Sequence, residues 1–289
     1  MFQPVEWSIR DGVLSTADHT LVMGVVNVTP DSFSDGGSYP DVEAAIAHGL
    51  ELWDAGADII DVGGESTRPG STPVGPDAEE ERVVPVVAGL AAAGVVVSVD
   101  TMKPRVAAAA IAAGARIVND VTALVDPAMT RVCAAAGVGV VLMHMQGDPQ
   151  TMQDDPRYDD VVAEVRSYLL ERAVAAQAAG IPAARICLDP GIGFGKTLEH
   201  NLSLLAGIPA LTQDGYPVAI GTSRKGFLGW ILAAAGVETE AKQRDVATAA
   251  SVSLAVAGGA AVVRVHNVGY ALQAARVGDA IVRSPQWRS

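Results

Sequence analysis

Eight short runs rich in β-branched residues recur along the chain, each followed by a stretch of helical composition, and this alternation limits the possible folds more than any other feature. The runs are LVMGVVNVT from 21, DIIDVGG from 58, VVVSVDT from 95, RIVNDVT from 116, GVVLMHM from 139, ICLDPGIG from 186, PVAIGTS from 217 and VVRVHNV from 262. Such nearly continuous apolar runs read as strands buried on both faces, as in a parallel sheet covered by helices. Between them, segments such as DVEAAIAHGLELWDAG, PDAEEERVVPVVAGLAAAG, KPRVAAAAIAAGA and DPAMTRVCAAAG have helical composition. Asp41 and Asp126 stand where helix N-caps belong, Pro127 at a first helical position, and Gly56, Gly114, Gly137 and Gly180 where helices stop.

Eight strand–helix units in 289 residues, with no Ser/Gly/Pro linker between them, predict one α/β domain over 1–289. A single (β/α)₈ TIM barrel accounts for the count better than a doubly wound open sheet, the structural alternative. Residues 1–20 are an N-terminal extension in which Arg10-Asp11-Gly12, between short apolar stretches, predicts a β-hairpin closing the barrel bottom. With 20 Lys plus Arg against 33 Asp plus Glu, the formal charge is -13, which argues against nucleic acid or an anionic membrane as partner. No segment approaches the ~18 uninterrupted apolar residues of a membrane span, so a soluble, cytoplasmic protein is expected. Cys133 and Cys187 lack metal-type spacing and read as buried structural thiols.

In such a barrel the chemistry lies at the carboxyl ends of the strands. Those ends carry Asn27, Asp61 with the Glu65 to Arg68 turn, Asp100, Asn119-Asp120, His144, Asp189, the Ser223-Arg224-Lys225 turn, and Arg264 with His266. Taken singly, an Asp or Asn at a strand end is most often an N-cap or turn former. As a set they converge on one mouth. Asp100, Asn119 and Asp189 follow strands buried on both faces, where an uncompensated carboxylate is costly, and together they suit a planar heterocycle with an amidine-like edge. Lys225, Arg264 and His266 form a second group, suited to a phosphate or pyrophosphate. His144 fits either a packed, hydrogen-bonded histidine or a site lining, and Arg224 fits a surface ion pair. Asn27 offers one neutral oxygen, adequate for a Mg²⁺ that keeps waters and is completed by substrate phosphates. Two Gly/Ser/Pro-rich loops, PDSFSDGGSYP after the first strand and ESTRPGSTPVGP after the second, are candidates for mobile covers.

The stretch LDPGIGFGKT from 188 ends in the Gly-Lys-Thr of nucleotide phosphate loops. Counting back to the required first glycine lands on Pro190, which has no N–H to give a phosphate and cannot adopt an open glycine conformation. The stretch is therefore read as a strand end, Asp189, with a tight turn built on Gly191, Gly193 and Gly195 around Phe194. Lys196 is read as a surface or helix-start residue.

With these residues in place, the chain resembles the dihydropteroate synthase family along nearly its whole length. The resemblance is carried by VMGVVNVTPDSFSDGG from 22, DVGGESTRPG from 61, VSVDT from 97, IVNDV from 117, VLMHMQG from 141, LDPGIGFGKT from 188, GTSRKGFLG from 221 and RVHNV from 264. It implies a (β/α)₈ barrel that condenses 6-hydroxymethyl-7,8-dihydropterin diphosphate with 4-aminobenzoate in folate synthesis. Carried over by motif, the pterin would be bound by Asp100, Asn119, Asp189 and Lys225, and the diphosphate by Arg264, His266 and Asn27, with Thr67 also among the residues that bind the pterin diphosphate. Asn27 would also hold Mg²⁺, while Thr67 and Arg68 of the second loop would, with Pro69, Phe33 and Phe194, form the aminobenzoate pocket. The same resemblance implies a sulfonamide target and a homodimer. Gly226 departs from the family pattern, in which a serine often follows Ser-Arg-Lys and contacts the aminobenzoate carboxylate; a backbone N–H at a helix start would have to replace it. The competing functions are a pterin-dependent methyltransferase barrel, which has no use for the Thr-Pro-Asp-Ser-Phe loop or the Arg264/His266 pair, and a non-catalytic pterin-binding paralogue.

Overall fold

The computed structural model describes residues 3–29, 39–67 and 70–284, with backbone only for 39–41. All eight predicted strands form, and they lie parallel in one sheet. Two short antiparallel strands precede them, β1 (Glu6–Ile9) and β2 (Gly12–Ser15), joined by a turn in which Asp11 takes φ 57°. The parallel strands are β3 (Leu21–Asn27), β4 (Ile59–Gly63), β5 (Val97–Asp100), β6 (Ile117–Asp120), β7 (Gly139–Met143), β8 (Ile186–Asp189), β9 (Ala219–Ile220) and β10 (Val262–Val265). β3 to β8 pair in sequence order, β9 pairs with β10, and β10 pairs with β3. The remaining gap, between β8 and β9, is bridged at Leu188 and Val218, where Leu188 N–H donates to the Pro217 carbonyl at 2.9 Å. The sheet thereby closes into a barrel, not the open doubly wound alternative.

Helices follow the strands: α1 (Tyr39–Asp54), α2 (Pro76–Ala92), α3 (Pro104–Ala112), α4 (Pro127–Ala136), α5 (Val161–Ala178), α6 (Leu198–Ala206), the single turn α7 (Ile208–Leu211), α8 (Gly226–Ala234), α9 (Asp245–Gly258) and α10 (Val268–Val282). Asp126 caps α4 as expected, accepting from Ala128 N–H at 2.7 Å, and Pro127 follows it. Asp41 does not cap α1: the helix begins at Tyr39 and already contains it. Gly56, Gly114, Gly137 and Gly180 all take positive φ just beyond helices, the conformation an L side chain resists.

Alternation along the strands sorts the core into two parts. Outward residues such as Ile60, Val62, Val97, Val99, Val118, Leu142 and Leu188 pack against the helices. Inward residues Met23, Ile59, Ile117, Val141, Cys187, Ala219 and Val262 fill the lower barrel, where Trp7 and Ile9 of the hairpin join them. Trp7 Nε1–H donates to the Arg185 carbonyl at 2.9 Å and Arg10 Nη1–H to that of Ile111 at 2.8 Å, so the hairpin is fastened across the bottom. Two residues further along the same inward rows stand Asp61, Asn119, Asp189 and Arg264. The barrel interior thus changes from apolar to charged in one pleat.

Candidate active site

The register places these polar ends side by side. Asp100 is opposite Asn119 and Gly63, and Asp61 is opposite Ser98 and Val25. Arg264 reaches across from β10, donating Nε–H to Asp61 Oδ2 and Nη2–H to Asp100 Oδ2, both at 2.7 Å. Asn119 Nδ2–H donates to the same Asp61 oxygen at 3.0 Å. Asp61 is fully buried, and its second oxygen has no partner among the described residues. Burial pushes the Asp100 carboxyl up to about 7 against the pull of Arg264, with Asp61, Glu79 and Asp120 adding to the rise. Burial opposes the Arg264 charge too, but Asp61 and Asp100 more than offset it and hold the guanidinium protonated. One cation between two carboxylates leaves this wall net negative and ready to accept N–H donors.

The opposite wall is built on the turn after β8. Gly191, Gly193 and Gly195 take φ values of 64°, 82° and 62°. A Cβ on Gly191 would stand 1.8 Å from the His144 carbonyl oxygen, so only glycine fits that close approach. Asp189 Oδ1 accepts the Gly191 N–H at 2.7 Å, which leaves Oδ2 free of any bond within the turn. Burial raises the Asp189 pKa, with Lys225 opposing. Five consecutive carbonyls of the turn are each held by a different donor. Phe194 N–H takes Gly191 at 3.0 Å, Lys225 Nζ takes Ile192, Gln153 Nε2 takes Gly193 at 2.6 Å, Lys196 Nζ takes Phe194 at 2.9 Å and Tyr158 Oη takes Gly195 at 2.9 Å. Lys225 Nζ also lies 4.6 Å from the centre of the Phe194 ring. Burial brings the Lys225 pKa down to about 8, with Asp189 pulling the other way.

Lys196 corrects the sequence reading: it is neither a surface residue nor part of a helix, but 1% exposed, with Nζ 3.0 Å from His144 Nδ1. His144 is accordingly a packed, hydrogen-bonded residue, its ring edge-on to Tyr168 at 4.9 Å. At the rim, His266 Nδ1 is 2.9 Å from Ser223 Oγ, and Arg224, at φ 59°, makes a two-pronged ion pair with Asp245 at 2.7 and 2.8 Å. Lys225 is the N-cap of α8 and Gly226 its exposed first residue, so backbone N–H groups of a helix start face this rim. Thr67 is half-buried in the loop after β4, whereas Arg68, Pro69 and Phe33 lie outside the described residues.

The described residues hold no group of three His, Cys, Asp or Glu side chains able to cage a metal ion. Asn27, half-buried at the end of β3, has a side-chain amide with no hydrogen-bond partner among the described residues. One neutral oxygen without a partner among the described residues fits a Mg²⁺ that keeps its waters and takes the rest of its shell from phosphates, and does not fit a protein-caged ion.

Two site residues escaped assignment from the sequence. Asp61 was visible as a strand-end carboxylate, but its role as the anchor of Arg264 depends on a contact between β4 and β10. Lys196 carried no usable signal, because its burial depends on His144 and Tyr158 from distant segments. The whole arrangement can bind a flat, donor-rich ring between the Asp100/Asn119 and Asp189 walls, with cations at the rim for an anionic substituent.

Comparison with known proteins shows the family and the fold. The sequence profile of a family described as "Pterin binding enzyme" matches residues 23–266. A dihydropteroate synthase from Mycobacterium leprae is 49% identical over 259 residues, covering 89% of this chain and 91% of that protein. A Xanthomonas albilineans dihydropteroate synthase structure with 4-aminobenzoic acid superposes with a TM-score of 0.89 at 46% identity, covering 98% of this chain and 100% of the other. A structure from the same organism in complex with 7,8-dihydropteroate gives a TM-score of 0.85 at 44% identity, covering 97% and 100%.

Proposed function

The chain belongs to the dihydropteroate synthase family of pterin-binding transferases, and from that premise we propose how its residues divide the work of making 7,8-dihydropteroate in folate synthesis. The substrates in this proposal are 6-hydroxymethyl-7,8-dihydropterin diphosphate and 4-aminobenzoate, and the second product is pyrophosphate. The observation that carries it is the facing pair of walls: Arg264 shared by Asp61 and Asp100 on one side, and Asp189 beside Lys225 on the other.

Asp100, Asn119 and Asp189 accept N–H donors from the amino-pyrimidine edge of the pterin, and Lys225 donates to a ring acceptor. Arg264 spends two N–H donors on Asp61 and Asp100, and the two on Nη1 with the second on Nη2 remain for diphosphate oxygens, alongside His266 and Asn27. The C9–O bond then breaks and its electron pair leaves with pyrophosphate. The carbon left behind is a cation conjugated with the pterin ring, which Asp100 and Asp189 stabilise from either side. The aniline nitrogen of aminobenzoate attacks that carbon and loses a proton. Phe194 and Thr67 wall the aminobenzoate, whose carboxylate meets the N–H groups at the start of α8 in place of a serine hydroxyl. A Mg²⁺ held by Asn27 and the diphosphate would neutralise charge on the leaving group. No protein nucleophile takes part.

We further propose a homodimer and a cytoplasmic setting. The free, buried Cys133 and Cys187 support the latter. Among the described residues no helix is long and apolar enough to cross a membrane. The test is formation of dihydropteroate and pyrophosphate by the purified chain with Mg²⁺. Dihydropteroate is expected only when both substrates are present, and Asp189→Asn and Lys225→Met should each cost roughly 100-fold or more in kcat/KM. No aminobenzoate-dependent product would overturn the proposal.

A further inference from the structure

Lys196 is fully enclosed and makes no ion pair among the described residues; its Nζ meets His144 Nδ1 at 3.0 Å and the Phe194 carbonyl oxygen at 2.9 Å. A buried ammonium without a carboxylate is an expensive group, and a methionine of similar length would fill the same space without that cost. Packing therefore does not account for a lysine here. What the lysine adds is a donor at one point of the glycine-rich turn. The Phe194 carbonyl it holds belongs to the residue whose ring lies 4.6 Å from Lys225 Nζ.

The partner of Lys196 is itself held from two sides. His144 N–H donates to the Asp189 carbonyl at 2.9 Å, and the His144 ring packs edge-on against Tyr168 of α5 at 4.9 Å. The Asp189 carbonyl fixes the His144 backbone and the Tyr168 contact fixes its ring, so that Nδ1 is presented to Lys196 as an acceptor. A continuous line of contacts then runs from α5 through His144 and Lys196 to Phe194 and Lys225. Every other donor to the turn except Phe194's own N–H comes from a side chain that is partly exposed.

We propose that Lys196, oriented by His144, is a positioning residue for the aminobenzoate end of the site: by holding the Phe194 carbonyl it fixes the ring that walls that end. Lys196 touches no substrate in this arrangement. The inference rests on the assignment of Phe194 to the aminobenzoate pocket. Loss of the donor frees the Phe194 peptide to rotate, so the effect falls on aminobenzoate before it falls on the pterin.

Steady-state kinetics of the full chain test this, with wild type as control and thermal melting measured in parallel. Lys196→Met, which keeps length and apolar packing, is expected to raise KM for aminobenzoate about tenfold, the loss of roughly one well-made hydrogen bond. The KM for the pterin diphosphate and kcat should stay within about threefold of wild type. His144→Phe, which leaves the lysine in place but removes its second anchor, should move the same constant in the same direction by a smaller factor. If Lys196→Met does not fold, His144→Phe carries the test. An unchanged aminobenzoate KM, or equal changes in both KM values and kcat, overturns the inference. A wild-type chain that makes no aminobenzoate-dependent product would instead defeat the functional reading beneath it.

Discussion

At the scale of single residues, two groups set the pH range of the proposed chemistry. Burial raises Asp100 to about 7 and lowers Lys225 to about 8, so the first must lose its proton and the second keep it within a narrow window. Below about 7, Asp100 is neutral and no longer favours a cation; above about 8, Lys225 gives up its charge. The expected kcat/KM for the pterin substrate is a bell with its top between those values. Lys196, brought down to about 7 by burial and by Lys225, titrates in the same range. Lys196→Met should nevertheless retain both limbs, because its charge is not among the groups that meet the pterin. A profile flat from about pH 6 to 9 in wild type would count against the assignment. The same Asp100 shift has a cost. Between the ordinary carboxylate value and about 7 the folded state keeps a proton the unfolded chain has lost, so stability falls as pH rises through that interval and the penalty is complete above it. Asp100, Asn119 and Asp189 were legible in sequence because each ends an apolar run, and period-two alternation carries them inward above Ile117, Cys187 and their neighbours. Lys196 was not, since a lysine following Gly-Phe-Gly has no local feature that distinguishes a buried side chain from an exposed one.

At the scale of elements, the strands were read correctly because burial on both faces leaves them few polar positions before their ends. Loops were harder, since what shapes them arrives from elsewhere in the chain. The loop after β4 is an example: Val74 N–H donates to Glu65 Oε1 at 2.8 Å and Ser71 Oγ to the Ser66 carbonyl at 2.5 Å, closing a narrow neck. Glu65 is in turn held at 2.6 Å by Lys103, which also binds Glu79, a fully buried side chain that accepts Thr101 Oγ1–H at 2.5 Å. Neither glutamate is near Lys103 in sequence. Removing this cation leaves Glu79 buried without its ion pair, and Lys103→Met is expected to lower unfolding stability by about 3 kcal/mol. Denaturant unfolding measures the loss, and adding Glu79→Gln to Lys103→Met should recover part of it, because the orphaned charge is then gone. A double variant no more stable than the single one would mean that the cost lies in packing.

At the scale of the whole molecule, strand count and a linker-free sequence were enough to predict the ring, and pairing of β10 with β3 completes the order. Which outer face would meet another copy in the proposed homodimer is a different matter, because it turns on side chains exposed on neighbouring helices. On α9, Val246, Ala250 and Leu254 form one exposed stripe, with Val246 and Leu254 each 70% accessible. On α10, which packs against α9 through Gly278 and Val256, the exposed positions include Tyr270, Gln273, Val277, Ala280 and Ile281. None of these carries a charge. In a chain of net charge -13 two copies repel at long range, and an uncharged face is where they can approach with least opposition and most apolar gain. A stable homodimer needs about 800 Å² from each partner, more than either helix stripe alone supplies, so both helices should take part. Sedimentation at micromolar concentration should therefore show a dimer, and Leu254→Glu, which puts a like charge at the centre of the face, should yield monomer with an unchanged circular-dichroism spectrum. A Leu254→Glu protein that remains dimeric would move the interface elsewhere on the barrel, and a monomeric wild type would remove it.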